Sequence, residues 1–278
     1  MSSSSPTIGL QEAADRLGVH YMTAYRYVRL GVLPATKEGG SWKVSLHDLS
    51  ALVASPPSRT ARGEAPWSGR LEARMVAGDL AGSWGVVEAA LAAGTDPSEV
   101  YSELLAPALT SIGERWASGE LGIEDEHLAS SVASRIIGRL GSRFVRRGRP
   151  RGRIVTATPP GERHSFGIGM LADVLRGEGY EVVDLGPDTP IESLVATVER
   201  SRPVTAVCMG IVYESVLPAA ADTIAALRRR VPEVPVVVGG RAVSGDLAAR
   251  RLGADAWAGT ARDAVEAVAS LAGRAHPA

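Results

Sequence analysis

From Arg153 onward the chain alternates short apolar runs with amphipathic ones, five times in succession. The apolar runs are RIVTAT, YEVVDLG, TAVCMGIV, VPVVVGG and DAWAG. Between and after them come GIGMLADVLRGEG, IESLVATVERS, VLPAAADTIAALRRRV, DLAARRLG and ARDAVEAVASLAG, with apolar residues at helical spacing. Near-continuous apolar strands are buried on both faces, and parallel neighbours need helical crossovers. The pattern therefore predicts a five-stranded parallel doubly wound α/β domain over residues 153–278. In such sheets ligands sit beyond the carboxyl ends of the strands, where the strand order reverses.

The rest of the chain is built differently. Residues 70–147 contain no strand-like run and read as a four-helix bundle: LEARMVAGDL, SWGVVEAALAAG, PSEVYSELLAPALTSIGERWASG and IEDEHLASSVASRIIGRLGSRFV. Pro97 marks a helix start, and the last helix places acids in its first turn and arginines toward its end, as its dipole favours. RRGRPRGR closes the bundle as a basic connector, and the Pro/Ser/Arg-rich residues 55–69 read as a linker. Residues 1–54 predict helix, turn, helix, hairpin around Gly39-Gly40, and a closing helix capped by Ser45: a winged helix-turn-helix. With a net charge of −1 the chain has no global attraction for nucleic acid, so that signal must be local. The second helix offers Tyr21, Thr23, Arg26 and Arg29 to a major groove, and the hairpin offers Lys37, Trp42 and Lys43 to the phosphate backbone or minor groove. Double-stranded promoter DNA is the expected partner. The stretch LGV…TAYRYVRLGVLPA…GGSWKV…DLSAL resembles the DNA-binding domains of the MerR and excisionase families.

No apolar run approaches the ~18 residues of a membrane span, and MSSSSPT has neither the basic nor the apolar region of a signal peptide. The single cysteine, Cys208, fits a reducing cytoplasm and rules out a thiolate metal cluster.

PPGERHSFG, residues 159–167, follows the first strand of the α/β domain and holds one of only five histidines. Taken alone, it is a polar loop with an exposed or satisfied histidine. GIGMLA at 167–172 spells a dinucleotide fingerprint, but eight residues separate it from Thr158, where that fingerprint needs a tight turn directly after the strand. A zinc or non-haem iron site lacks ligands beyond Glu162 and His164. A cofactor metal that brings its own equatorial ligands needs only one imidazole, with Glu162 orienting the ring and Gly167 removing side-chain bulk.

That E-x-H-x-x-G turn, the Gly239-Gly240 pair after the fourth strand and the preceding helical bundle together resemble Rossmann-like cobalamin-binding domains. The resemblance implies that His164 is the lower axial cobalt ligand and that the glycine pair lies close to the nucleotide tail. Met209-Gly210-Ile211 departs from the usual S-x-L, and Ser215 lies six positions late. With the DNA-binding head included, the whole resembles MerR-type cobalamin-dependent, light-responsive regulators of the CarH/LitR kind. Their cap motif W-x9-E-H is met by Trp116, Glu126 and His127. The resemblance implies adenosylcobalamin as cofactor, with Trp116 and Glu126 reporting its upper group. It also implies a homo-oligomeric repressor, dimer or tetramer, and no enzymatic activity, since no length remains for a substrate domain. Well-described light sensors carry a histidine directly after the tryptophan; here it is Ala117. A corrinoid methyl carrier with an acquired head, and a sensor of another tetrapyrrole, remain the alternatives.

Overall fold

The computed structural model describes residues 7–17, 24–25, 28, 33–38, 41–46, 48–50 and 67–275. It comprises two compact units, Met1–Trp67 and Ser68–Ala278.

In the first unit, helix α1 (Leu10–Leu17) buries Leu10, Ala13 and Ala14, with Ala24, Leu33, Val44 and Leu49 completing a small core. The hairpin strands β2 (Ala35–Glu38) and β3 (Ser41–Ser45) are present as expected. Thr7–Gly9, read from sequence as part of the first helix, is instead a strand, β1, paired antiparallel with β3. The wing is thus one edge of a three-stranded sheet in the order β1-β3-β2. A three-residue strand carries no visible alternation, and only its nonlocal partner makes it one.

The second unit begins with four helical rods. They are α2 (Trp67–Val76), α3 (Leu80–Ala92), a continuous run of α4 (Pro97–Glu99), a π-helical segment (Val100–Leu105) and α5 (Ala106–Ala117), and α6 (Ile123–Gly141). Helix α2 starts inside the stretch read as linker, so residues 67–69 are helical. Pro97 does begin a helix: Asp96 Oδ1 accepts from Ser98 N at 2.9 Å and Glu99 Oε2 accepts from Asp96 N at 2.9 Å, a reciprocal cap. Leu71, Met75, Val87, Leu105, Ile136 and Leu140 are among the side chains the rods bury.

The α/β part runs β4 (Arg153–Ala157), α7 (Phe166–Gly177), β5 (Glu181–Asp184), α8 (Ile191–Arg200), β6 (Ala206–Gly210), α9 (Leu217–Arg230), β7 (Val236–Gly239), α10 (Asp246–Arg251), β8 (Ala256–Ala258) and α11 (Ala261–Ala275). All strand pairs are parallel, in the order β5-β4-β6-β7-β8. One core lies between the sheet and α8, α9 and α10, the other between the sheet and α7 and α11. The chain leaves β4 first toward β5 and later returns to its other side as β6. The carboxyl end of β4 is therefore the switch point, and residues 158–165 emerge there.

The bundle and the α/β part meet along α6 and α7. Tyr101, on the π-helical segment, donates to Asp173 Oδ2 at 2.8 Å and stacks on Phe144 with centroids 5.2 Å apart. Asp173 also accepts from Arg176 Nη1 at 2.9 Å. Burial and the Asp173 carboxylate push the Tyr101 phenol well above its ordinary value. Among the described residues no helix is long and apolar enough to cross a membrane.

Candidate functional site

The turn after β4 is held by hydrogen bonds to its backbone. Gly161 sits at φ +86°, a conformation that favours glycine, and its N–H donates to Asp188 Oδ1 at 2.7 Å. Asp188, itself at φ +50°, returns its own N–H to the Glu162 carbonyl at 2.7 Å, which also accepts from Thr158 Oγ1 at 2.7 Å. Two loops at the switch point are thereby tied together, and Glu162 is driven inward until it is fully buried.

A buried carboxylate must be satisfied or neutralised. Glu162 Oε2 accepts from Val212 N at 2.8 Å and Tyr213 N at 3.0 Å, both in the loop after β6. Oε1 accepts from His164 N at 3.1 Å and lies 2.5 Å from His164 Nδ1. Burial pushes the Glu162 carboxyl upward, but the N–H donors of Tyr213, His164 and Val212, with the His164 ring, hold it below the usual carboxylate range. An ionised carboxylate at this distance takes the proton on Nδ1. That contact occupies Nδ1 and leaves Nε2 as the ring nitrogen that faces outward without a protein partner among the described residues, on a side chain about 41% exposed.

The surroundings suit a bulky metal complex. A Cβ built on Gly167 would meet nothing within 4 Å, so the start of α7 leaves clear space. Among the described residues no three His, Cys, Asp or Glu side chains converge on one point, so a metal at His164 must bring its remaining ligands with it. Gly239 and Gly240 close the end of β7 against backbone: a Cβ on the first would strike the Ala258 carbonyl, and one on the second, at φ +99°, the Ile211 carbonyl. The pair is therefore required by the fold itself, at the carboxyl edge beside Met209 and Ile211. Asp184, the acid a dinucleotide site would use, is engaged locally, accepting from Thr156 Oγ1 at 2.9 Å and Gly186 N at 3.1 Å. A groove of about 420 Å³ between α6 and α7, lined by Gly138, Gly141, Gly169 and Asp173, does not include His164.

In the bundle, Trp116 lies in the last turn of α5, with Glu126 and His127 near the start of α6. The nine-residue spacing spans one helix junction and brings all three to the same end of the bundle. Trp116 is about 43% exposed, large for an indole. Glu126 Oε1 accepts from Ser130 Oγ at 2.5 Å, and its other oxygen is 3.8 Å from His127 Nε2. Among the described residues no hydrogen bond, ion pair or ring contact links these three to His164.

In the first unit Tyr21, Thr23, Arg26 and Arg29 lie outside the described residues. Lys37 pairs with Trp42 across the hairpin and Lys43 with Thr36, so adjacent registers put the two lysines on opposite faces of the wing. Lys37 Nζ stands 6.0 Å from the Trp42 ring centroid.

Sequence reasoning missed Thr158, Asp188 and Tyr213. Tyr213 meets the His164 imidazole edge to face, with centroids 4.4 Å apart and planes at 65°.

Comparison with known proteins identifies the families to which these domains are similar. Residues 152–269 match the B12 binding domain family, residues 68–140 match a second family of the same description, and residues 8–56 match the helix-turn-helix domain. The HTH-type transcriptional repressor CarH of Myxococcus xanthus is 36% identical over 148 residues, which is 52% of this chain and 48% of CarH. The match thus spans about half the length of that relative. The trimethylamine corrinoid protein of Methanosarcina barkeri is 28% identical over 187 residues, 66% of this chain and 86% of that protein. The structure of the Methanosarcina barkeri monomethylamine corrinoid protein superposes with a TM-score of 0.66 at 21% identity, covering 74% of this chain and 98% of the other. The chain joins B12-binding domains to a helix-turn-helix domain, and its cofactor is a cobalamin or related corrinoid.

Proposed function

We propose that the chain is an adenosylcobalamin-dependent, light-responsive transcriptional regulator. It is a cytoplasmic repressor that binds promoter DNA in the dark as a homo-oligomer and releases it after illumination. The observation that carries this reading is the union, in one chain, of a helix-turn-helix domain with a B12-binding domain whose His164 stands at the switch point with its Nδ1 against Glu162. Sequence similarity to a relative named as a transcriptional repressor supports it. A single winged head reaches limited affinity, and symmetric regulators read repeated half-sites, which favours a dimer or tetramer.

Adenosylcobalamin supplies a cobalt–carbon bond that visible light cleaves and a bulky 5′-deoxyadenosyl group on its upper face. His164 would hold the cobalt through Nε2, and Glu162 would orient the ring by its contact with Nδ1. Gly167 would leave room for the nucleotide tail, and Gly239 and Gly240 would line its path. Trp116 would pack its exposed indole against the upper group, and Glu126 would accept hydrogen bonds from it. Loss of those contacts frees the bundle to shift, a change of population between two arrangements. Ala117 offers no ligating side chain to the cobalt after the upper group leaves. The photoproduct would then carry water or another ligand above cobalt, His127, exposed beside Glu126, being one candidate.

A second reading, a corrinoid methyl carrier with a DNA-binding head, is favoured by the breadth of the match to the trimethylamine corrinoid protein. One experiment separates the two. The adenosylcobalamin complex is illuminated while its spectrum, its size and its affinity for promoter DNA are followed. The regulator loses DNA affinity and changes size on illumination. A carrier, or a cobalamin sensor that is not a light switch, changes its spectrum alone.

A further inference from the structure

Tyr213 has no place in the axial-ligand chemistry described so far, yet it touches both members of the His164–Glu162 pair. Its backbone N–H donates to Glu162 Oε2 at 3.0 Å while its ring meets the imidazole at 4.4 Å between centroids, the planes inclined by 65°. The ring stands about 43% exposed, an unusual expenditure of aromatic surface unless a neighbour uses it. Its backbone is itself pinned. Val216 N donates to the Tyr213 carbonyl at 3.2 Å, and the buried Val216 side chain lies against Gly161 on the histidine loop.

An imidazole anchored only through Nδ1 still has freedom. A hydrogen bond to one ring nitrogen fixes that nitrogen's position but allows the ring to rock about the bond, since the terminal torsion of histidine is broad. Tyr213 supplies the second restraint, with an aromatic edge-to-face contact that resists rocking. Glu162 sets which nitrogen is free, and Tyr213 sets where that nitrogen points. From these contacts we infer that Tyr213 is a positioning residue for the axial histidine, acting through its ring and not its hydroxyl. Its benefit to cobalt ligation rests on the cobalamin reading above, but the restraint on His164 does not.

The test is made on the full-length protein in two arms. In the first, without cofactor, ¹³C relaxation of the His164 ring is measured in the wild type and in Tyr213→Phe, Tyr213→Leu and Tyr213→Ala, with His164→Gln used for assignment. The His164 ring is expected to be as rigid in Tyr213→Phe as in the wild type, and clearly more mobile in the leucine and alanine variants. Because the tyrosine is on the surface, the fold should be retained, which circular dichroism checks. In the second arm each variant is loaded with cob(II)alamin and the nitrogen splitting of its electron paramagnetic resonance signal is recorded. An aromatic contact of this kind is worth about two- to tenfold in an equilibrium. The ratio of nitrogen-ligated to unligated cobalt should fall by that factor in the leucine and alanine variants and hold in the phenylalanine variant. An unchanged His164 ring in Tyr213→Ala overturns the proposal, as does a phenylalanine variant that behaves like alanine. If the protein takes up no cobalamin, the function proposed above fails, while the first arm still decides the role of Tyr213.

Discussion

Replacing Tyr101 by phenylalanine removes one oxygen atom from the seam between the helical bundle and the α/β domain. The ring is expected to stay in place, because its stacking on Phe144 at 5.2 Å does not involve the hydroxyl. What is lost is the donor to Asp173 Oδ2, an almost fully buried carboxylate that keeps only the Arg176 contact on its other oxygen. A hydrogen bond to a charged group contributes about 1.5–3 kcal/mol, and the loss falls toward the upper end when the acceptor stays buried. For a unit of about 200 residues, each kcal/mol shifts the melting temperature by about 2–4 °C, so a drop of about 3–12 °C is expected. The assay is urea and thermal denaturation of Tyr101→Phe, Asp173→Asn and the double variant. The coupling energy between the two sites should exceed about 1 kcal/mol. The variant also carries a pH signature. The Tyr101 phenol is raised in the folded state above its unfolded value of about 10. Its stabilising effect is therefore complete below that pH and lost as pH rises beyond it, with a slope of up to about 1.4 kcal/mol per pH unit. Tyr101→Phe should abolish this part of the alkaline slope. A coupling near zero, or an unchanged alkaline slope, refutes the reasoning.

Other substitutions probe the site directly. His164→Ala is expected to weaken cobalamin retention and remove the imidazole-ligated absorption spectrum; an unaltered spectrum and affinity would end that assignment. Glu162→Gln offers one carbonyl oxygen where the carboxylate serves several donors, so it should cost about 1–3 kcal/mol in a denaturation experiment and release the tautomer of His164, read by ¹⁵N shifts. Ala117→His is expected to give a photoproduct with histidine-like ligation on both faces and slower dark recovery, followed by absorbance after a light pulse. Lys43→Gln should weaken DNA binding across all sequences and lower the salt slope by about one, while Lys37→Gln, on the opposite face of the wing, should differ from it; equal slopes for all three proteins would rule out a phosphate contact by either lysine.

The α/β domain was legible because its information is local. Buried parallel strands such as VVV at 236–238 are apolar at every position, and each is followed by a helix that identifies itself by spacing. Strand order needed no distant signal, since crossover rules leave few arrangements once five strands alternate with helices. What escaped was decided by partners far along the chain. Thr7–Gly9 is a strand only because residues 43–45 lie beside it. The π-helical segment over Val100–Leu105 leaves no mark on an otherwise ordinary amphipathic run, although it carries Tyr101 to the seam. The two lysines of the wing looked like one patch, because a reading along the chain does not show which faces a hairpin register assigns them.

The same division runs through the site. His164 and Glu162 are two residues apart, so a motif can hold them together, and the carboxylate–imidazole pair was readable as an orienting device. The groups that make the pair work are Asp188, Val212 and Tyr213, which come from the turns after the two strands flanking β4. No spacing rule connects them, yet the topology does: with β5 and β6 on either side of β4, any residue just past the carboxyl end of β4 lies between the loops that follow those strands. A carboxylate placed there meets outward-pointing backbone N–H groups, because a strand that has just ended leaves its next amides unpaired. Glu162 closes both accounts at once, satisfying the amides of residues 212 and 213 and fixing the proton on His164. The Glu162 side chain thus joins His164 to the loop after β6 while its backbone carbonyl ties in the loop after β5, and the orientation of the imidazole follows from the sheet order.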